Sequence, residues 1–271
     1  MEQHGWAIVT GASAGLGYVF VKELVKAGHP VLAVARRKDR LDLLAAEVAK
    51  GGGKVEPLAA DLGSPEGLRA LVSRASEIDD LELLVNNAGV SSWGYFLEIP
   101  LNKHLGMLHL NIEALVSLTW QLLPQLARHP GAGIINVASV VGFQPMPYWT
   151  TYAATKAFVL SFTEGIAHEL RASGVHVLAV CPGMTKTELY DVSDSRELAG
   201  RLPALTPEHV VRSALRAYGH RGRTVKVVGL FNFLLTLAGR LTPRFLMRFI
   251  TGGLLKPKAA PRLLPPATVA R

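Results

Sequence analysis

Short apolar runs alternate along the chain with longer segments in which apolar residues recur every three or four positions. The runs have the length of buried strands, and the longer segments have the period of helices with one apolar face. The predicted strands cover residues 6–9, 31–35, 55–60, 83–86, 133–137, 175–180 and 224–228, and the main predicted helices cover residues 40–49, 65–77, 105–127, 152–172 and 206–218. Strands that are apolar on both sides are typical of a parallel sheet covered on both faces. The pattern therefore predicts an α/β fold with one doubly wound parallel sheet of about seven strands.

The chain has no repeat or linker that would divide residues 1–229, which we expect to form one domain. Residues 230–255 are predicted to form a helical extension, and residues 256–271 are predicted to be a disordered tail because proline, alanine and basic residues dominate them. Arg240, Arg244 and Arg248 are spaced four residues apart, which predicts that they share one side of a helix, although Pro243 interrupts the pattern.

Three roles are open for the extension. It would serve as a lid over a pocket, as a subunit contact, or as a basic amphipathic helix resting on a membrane. The first two rank above the third because packing the extension against the domain requires no additional partner.

Charge is unevenly distributed along the chain. The net charge is +8, and between Arg196 and Arg271 the acidic residues are Glu197 and Glu208 only, against fourteen lysines and arginines. This excess suits an acidic ligand or an anionic membrane surface, whereas no motif for nucleic acid accompanies it.

The cysteine content and the apolar segments indicate a compartment. Cys181 is the single cysteine, so no internal disulfide or multi-cysteine metal site is expected. No apolar segment reaches the ~18–20 residues of a spanning helix, and a first strand near Trp6 leaves no room for a cleavable signal peptide. We expect a cytoplasmic protein, with the membrane surface as the alternative.

A glycine-rich turn between the first strand and the following helix predicts a phosphate site. The stretch Thr10–Gly17 reads TGASAGLG. Gly11 would allow the tight turn, Gly15 the close approach of a ligand, and Gly17 the close packing of helix on sheet. Backbone N–H groups and the positive end of the helix dipole would then converge on one anion.

Polar residues follow the other predicted strands, at the edge where open parallel sheets bind ligands. They are Asn86–Gly89, Ser139, Pro182-Gly183 and Thr185, while Asn111 lies within a helix and Tyr152 and Lys156 are one helical turn apart. With Thr10–Gly17 and Asp61-Leu62, these motifs stand in the order and spacing of the short-chain dehydrogenase/reductase family. The chain resembles the common single-domain form of that family from Trp6 to about Val228, and we find no departure at the catalytic positions.

This resemblance implies a Rossmann-type fold and assigns four catalytic residues. Tyr152 would donate a proton to the substrate oxygen, and since a free tyrosine has a pKa of about 10, a cation beside it is needed to favour the phenolate. Lys156 would supply that cation and hold the nicotinamide ribose. Ser139 would hydrogen-bond the substrate oxygen, and Asn111 would hold a water that links Lys156 to solvent.

The resemblance also implies the contacts of a nicotinamide cofactor and calls for no metal. The expected cofactor-binding residues are Gly11, Ser13, Ala14, Gly15, Leu16, Gly17, Arg36, Arg37, Asp61, Leu62, Asn87, Ala88, Gly89, Tyr152, Lys156, Pro182, Gly183 and Thr185. Asp61 would meet the adenine amino group, with Leu62 packing nearby.

The residues after the second strand predict which cofactor is bound. An acidic residue there would bind the ribose 2′-OH of NAD, but this chain has Arg36 and Arg37. Because a guanidinium binds a phosphate through charge-assisted hydrogen bonds, the pair favours NADP(H) over NAD(H), with Arg36 as the main contact and Arg37 as the second.

The leading hypothesis is an NADPH-dependent carbonyl reductase acting on a hydrophobic ketone or its secondary alcohol, with an acyl, steroid-like or aromatic body. The candidate substrate contacts are Met146, Tyr148, Trp149, Ser91, Ser92, Trp93, Tyr95 and the loop 184–203. The alternatives are a non-catalytic NADP(H)-binding sensor or scaffold, and a membrane-peripheral 3-oxoacyl or lipid reductase. The extension resembles that of a bacterial-type branch of general specificity, and family members assemble through their long helices, so we expect a homodimer or homotetramer.

Overall fold

A computed structural model describes residues 4–188 and 203–258, and its centre is a parallel sheet of seven strands. The strands are β1 Trp6–Thr10, β2 Val31–Ala35, β3 Val55–Ala59, β4 Leu81–Asn86, β5 Gly133–Val137, β6 His176–Cys181 and β7 Val225–Val227. Their order is β3-β2-β1-β4-β5-β6-β7, and every neighbouring pair is parallel. This architecture confirms the predicted α/β class. Pro57 lies on the edge strand β3, where its missing N–H costs no inner hydrogen bond.

Helices cover both faces of the sheet. They are α1 Gly15–Lys26, α2 Lys38–Ala49, α3 Pro65–Ser76, α4 Leu101–Leu108, α5 Ala114–Leu126, α6 Thr150–Glu169, α7 Pro207–Tyr218, α8 Leu230–Leu241 and α9 Arg244–Leu255. Alternate residues of the strands face opposite layers, so Ala7 and Val9 pack under α1, α2 and α7 while Ile8 packs under α3, α5 and α6. One apolar core therefore packs against each face of the sheet and holds the strands in place.

The predicted helix 105–127 is interrupted in the structure. The chain is helical from Leu101, but a π-helical turn at His109–Glu113 separates α4 from α5, and the backbone N–H of Ala114 donates to the carbonyl of His109. A single inserted residue of this kind leaves the apolar period nearly intact, so the sequence pattern did not reveal it. The helix predicted at 152–172 likewise runs over Thr150–Glu169 and ends in a 3₁₀ turn, Leu170–Ser173.

The predicted extension forms two helices rather than one. Helix α8 ends at Leu241, and Pro243 precedes α9, because proline cannot continue a helix but suits the position before one. The expectation that Arg240, Arg244 and Arg248 share one helical side is therefore wrong, since Arg240 belongs to α8 and the other two to α9. In the part of the chain described, no helix combines the length and apolar character needed to cross a bilayer.

Hydrogen bonds fasten α9 to the domain. The indole Nε1 of Trp93 donates to the carbonyl of Leu255 at 3.1 Å, and the Thr251 hydroxyl donates to the carbonyl of Pro145 at 3.0 Å. Residues 189–202 of the candidate substrate loop and residues 259–271 of the predicted tail lie outside the described residues.

A buried polar network joins the central strands to the helices behind them. The Asn86 amide donates to Oδ1 of Asn136 at 2.9 Å and to the Thr119 hydroxyl at 3.3 Å, and the Asn136 amide donates to the Thr163 hydroxyl at 3.0 Å. Asn136 is fully buried, so no water can take its place as the hydrogen-bond partner of Asn86 and Thr163.

Substitution of Asn136 tests the energetic weight of this network. Asn136→Ala should lower the free energy of unfolding by about 2–4 kcal/mol, because it leaves buried donors and acceptors unpaired. Urea unfolding measures the change, with the exposed Asn102→Ala as the matched control. Equal stabilities of the two variants would contradict a structural role for the network.

Candidate active site

The turn between β1 and α1 has the geometry of an anion cradle. Gly11 and Gly15 have positive φ values of 68° and 57°, which residues with side chains rarely adopt. A Cβ on Gly17 would lie 2.3 Å from the Gly11 carbonyl oxygen, so the helix packs too tightly there for any side chain. No side chain caps the first turn of α1 at Ala14, and its N–H groups are thus available to a phosphate.

Thr10 ties this turn to the loop after β4. Its hydroxyl accepts hydrogen bonds from the backbone N–H groups of Asn87 and Ala88, both at 2.9 Å, and donates to the carbonyl of Val85 at 3.2 Å. The Asn87 amide donates in turn to the carbonyl of Thr10 at 2.8 Å. Sequence reasoning missed Thr10 as a site residue, although its position directly before the glycine turn is a usable signal.

Arginine residues gather where β2 ends. The Arg37 guanidinium donates to the Ser13 hydroxyl at 3.1 and 3.0 Å and pairs with the Glu188 carboxylate at 3.0 Å. Arg40 also pairs with Glu188, at 2.6 Å, and these two guanidiniums hold the pKa of the Glu188 carboxyl below its usual value. Arg36 is exposed and borders the same cavity.

Arg40 and Glu188 were not among the predicted site residues. Arg40 lies three residues after Arg37 in the first turn of α2, so helical spacing alone would have found it. Glu188 is 148 residues away in sequence, and no local signal links it to the arginines.

Tyr152 and Lys156 lie on the buried side of α6. The Lys156 Nζ donates to the carbonyl of Val137 at 2.7 Å and stands 5.8 Å from the centre of the Tyr152 ring. Burial in apolar surroundings lowers the pKa of Lys156 to about 8, since a charged ammonium is costly away from water. The buried ammonium therefore loses its proton more readily than that of a lysine in water.

Asn111 occupies the π-helical turn that interrupts the long helix. Its side chain accepts from the N–H and donates to the C=O of Val90, both at 2.9 Å, and donates to the Thr155 hydroxyl at 3.0 Å. Thr155 donates to the carbonyl of Tyr152 at 2.7 Å. Asn111 therefore connects the loop after β4 to the helix that carries Tyr152 and Lys156, and π-helical turns occur frequently at functional sites.

Gly89 separates Asn111 from Lys156. A Cβ at this position would lie 3.2 Å from Oδ1 of Asn111 and 3.6 Å from Nζ of Lys156. Both polar atoms therefore face the space above a residue without a side chain.

Ser139 follows β5 and begins a 3₁₀ turn, Val140–Phe143. Its hydroxyl faces the carbonyl of Pro182 at 3.3 Å and accepts weakly from the N–H of Val141 at 3.4 Å. The backbone N–H of Val140 donates to the same Pro182 carbonyl at 3.0 Å. The loops after β5 and β6 are thus held against each other at the carboxyl edge.

One cavity of about 460 Å³ connects these groups, a volume typical of small-molecule sites. Most of the predicted site residues border it: Gly11, Ser13, Ala14, Gly15, Leu16, Arg36, Arg37, Asp61, Leu62, Asn87, Ala88, Gly89, Ser139, Tyr152, Lys156, Pro182, Gly183 and Thr185. Gly17 and Asn111 do not border it and lie behind the turn and the β4 loop.

The cavity continues past Tyr152 into an apolar end. Met146 and Trp149 border it, as do Phe231 and Leu235 of α8 and Ile250 of α9. The inner sides of the two extension helices therefore cover the cavity. Met184 and Pro203, at the two ends of the candidate substrate loop, also border the cavity. The remaining candidate contacts do not border it: they are Tyr148, Ser91, Ser92, Trp93 and Tyr95. The Ser91 hydroxyl instead accepts from the Trp149 indole at 2.7 Å.

The groups that border the cavity suit the parts of a dinucleotide. They are exposed and ion-paired guanidiniums, the uncapped N-terminus of α1, which suits a pyrophosphate, and a tyrosine, a serine and a buried lysine next to the apolar end. Asp61 borders the cavity as well, although its Oδ1 accepts from the N–H of Gly63 at 3.0 Å.

Known proteins are similar to this chain in sequence and in fold. A family model described as short chain dehydrogenase matches residues 5–197. The very-long-chain 3-oxoacyl-CoA reductase of Anas platyrhynchos is 33% identical over 224 residues, which are 81% of this chain and 70% of that relative. A short-chain dehydrogenase from Sphingobium yanoikuyae, solved in complex with NADPH, superposes with a TM-score of 0.80 at 33% identity, covering 90% of this chain and 95% of its own. The bulky-bulky ketone specific alcohol dehydrogenase from Comamonas testosteroni superposes with a TM-score of 0.75 at 28% identity, covering 88% of this chain and 93% of its own.

The lowered pKa of Lys156 predicts how stability varies with pH. The folded protein releases this proton near pH 8 and the unfolded chain near 10.5, so between these values the unfolded chain holds one more proton and stability rises with pH. Relative to Lys156→Met, the cofactor-free wild type should gain about 3 kcal/mol between pH 7 and pH 10.5.

Urea unfolding at a series of pH values measures this difference. The exposed Lys50→Met is the control for loss of a lysine. The test compares the free energies of unfolding of wild type and Lys156→Met at each pH. If their difference stays constant across the series, burial does not disfavour the charge of Lys156.

Proposed function

Since the chain belongs to the short-chain dehydrogenase family, we propose that it is an NADP(H)-dependent oxidoreductase that interconverts a hydrophobic ketone and its secondary alcohol. The observation that carries this proposal is the convergence of Tyr152, Lys156 and Ser139 on one cavity that also borders the uncapped N-terminus of α1. A protein that only bound the nucleotide would have no use for a proton donor at the far end of the cavity.

The chemistry follows from the side chains. The nicotinamide, when bound, supplies a hydride to the carbonyl carbon or accepts one from the alcohol. The Tyr152 hydroxyl donates a proton to the substrate oxygen during reduction and becomes a phenolate, and that phenolate takes a proton from the alcohol during oxidation. The Ser139 hydroxyl donates a hydrogen bond to the same oxygen and stabilises its developing charge. The nearby Lys156 ammonium favours the phenolate of Tyr152, because an opposite charge stabilises the ionised form.

The proton used at Tyr152 must be replaced from solvent. We propose that a water in the space above Gly89, between Asn111 Oδ1 and Lys156 Nζ, carries it. The distances from a Cβ on Gly89, 3.2 and 3.6 Å, support this site because a larger residue would fill the space and block both polar atoms.

The preference for NADP(H) rests on the guanidiniums after β2. Arg36 is exposed beside the cavity, and Arg37 is already oriented by the Ser13 hydroxyl. A 2′-phosphate would bind these donors with charge assistance. It would also compete with the Glu188 carboxylate for Arg37, so Glu188 has to yield or rotate when NADP(H) binds.

A bulky, apolar substrate suits the other end of the cavity. Met146, Trp149, Phe231, Leu235 and Ile250 supply apolar surface there. The relatives act on compounds of that kind by name, a very-long-chain 3-oxoacyl-CoA and a bulky-bulky ketone.

Assembly through the long helices is part of the proposal, because Trp120 on α5 and Phe158 on α6 are exposed.

Removal of the Tyr152 hydroxyl tests the catalytic assignment. Tyr152→Phe should lower kcat for ketone reduction by a factor of about 10²–10⁴, because the proton donor is lost, and should leave NADPH affinity within about threefold since the phosphate cradle is untouched. Tyr18→Phe, whose side chain does not border the cavity and bonds Glu47 instead, is the matched control. Full activity of Tyr152→Phe would refute the mechanism.

Substitution of the two arginines tests the cofactor assignment. Wild type should use NADPH with a higher kcat/KM than NADH. Arg36→Ala and Arg37→Ala should each lower kcat/KM for NADPH by a factor of about 10–100, the weight of a charge-assisted hydrogen bond, with little change for NADH. Lys38→Ala, whose ammonium pairs with Asp42, is the control for charge. A wild type that prefers NADH would overturn the assignment.

A further inference from the structure

The two extension helices have apolar residues on both sides. Phe231, Asn232, Leu235 and Thr236 of α8 border the cavity, and these positions occupy one side of the helix. Leu230, Leu234, Leu237 and Leu241 recur at intervals of four, three and four residues on the opposite side. Leu230 and Leu241 are 75% and 78% exposed.

Helix α9 repeats the arrangement. Met247, Ile250, Thr251 and Leu254 border the cavity, while Phe245 and Phe249 lie on the opposite side of the helix. Phe249 is 81% exposed. We call the set Leu230, Leu234, Leu237, Leu241, Phe245 and Phe249 the outer face. A helix that is apolar all round is normally buried, yet the residues that the structure describes leave the outer face exposed.

Positive charge surrounds the outer face. Arg244 and Arg248 stand one position before Phe245 and Phe249 and are exposed, and Lys256 and Lys258 follow α9 and are exposed as well. No aspartate or glutamate occurs anywhere from residue 209 to residue 258. The partner must therefore combine an apolar interior with negative charge at its border.

We propose that the outer face docks the protein on the surface of an anionic lipid bilayer. The leucine and phenylalanine side chains enter the boundary between headgroups and acyl chains, and the arginines and lysines contact lipid phosphates and carboxylates. The helices lie in the plane of the surface, as short amphipathic helices do. The cavity beneath them thereby lies next to the layer in which hydrophobic compounds concentrate.

A second copy of this chain fits the outer face less well. A two-fold contact through the outer face would bring two copies of Arg244, Arg248, Lys256 and Lys258 into one interface without an acidic residue of α8 or α9 to offset them, and like charges in an interface oppose association. An anionic bilayer neutralises them. The docking surface is separate from the catalytic groups, so the proposal does not depend on the proposed oxidoreductase activity.

Vesicle flotation of the full chain tests the proposal. Binding to phosphatidylcholine vesicles with about 30 mol% phosphatidylserine should exceed binding to pure phosphatidylcholine about tenfold, and about 0.5 M salt should weaken it, because salt screens surface charge. The double variants Phe245→Ser/Phe249→Ser and Arg244→Glu/Arg248→Glu should each lose binding about tenfold.

Two controls separate docking from other effects. Leu43 on α2 is 70% exposed, about as much as Phe245. Leu43→Ser should bind vesicles like wild type. Tyr152→Phe should also bind like wild type, which keeps docking distinct from catalysis. Circular dichroism verifies that each variant is folded.

Two outcomes of the flotation experiment would contradict docking on lipid. Absence of wild-type binding to the anionic vesicles, or unchanged binding by both double variants, would overturn the proposal. If the Phe245→Ser/Phe249→Ser variant instead changed the oligomeric state in light scattering while vesicle binding was absent, the occupant of the outer face would be a second copy.

Discussion

All seven strands run in the same direction, and this constraint decides where the chemistry of the molecule occurs. Each strand delivers the loop after it to the same edge of the sheet. The glycine turn after β1, the arginines after β2, Gly89 after β4, Ser139 after β5 and Pro182 after β6 therefore meet although they are far apart in sequence. Two apolar cores fix the strands in register, so the groups at the edge need little additional ordering.

The burial of the Lys156 ammonium lowers the stability of the folded protein. The ammonium has the Val137 carbonyl as a hydrogen-bond partner at 2.7 Å, and burial moves its pKa down to about 8. A core built for stability alone would place an apolar side chain there. The same burial strengthens the electrostatic effect of the ammonium on Tyr152, because little water screens the two groups. Asn111, set in a π-helical turn, connects the surrounding loops and keeps this arrangement in place.

Apolar runs predict the sheet and the helical layers, and the order of the glycine, serine, tyrosine and lysine motifs predicts one set of the residues that border the cavity. These features repeat locally or belong to motifs in a known order. The rest depends on contacts between distant segments: Glu188 reaches Arg37 and Arg40 across 151 and 148 positions, and Thr10 holds the β4 loop. The π-helical turn at Asn111 and the separation of the extension into α8 and α9 arise from one inserted residue and one proline, which hydrophobic periodicity barely registers.

The extension and the carboxyl edge of the sheet give the molecule two distinct surfaces, an apolar outer side and a polar edge that carries Tyr152. We propose that this edge binds NADP(H). A crystal structure of the full chain grown with NADP⁺ tests this claim most directly. The account predicts the pyrophosphate at the N-terminus of α1, the 2′-phosphate beside Arg36 and Arg37, and the nicotinamide beside Tyr152 and Lys156. A nucleotide bound elsewhere, or a nicotinamide remote from Tyr152, would contradict it.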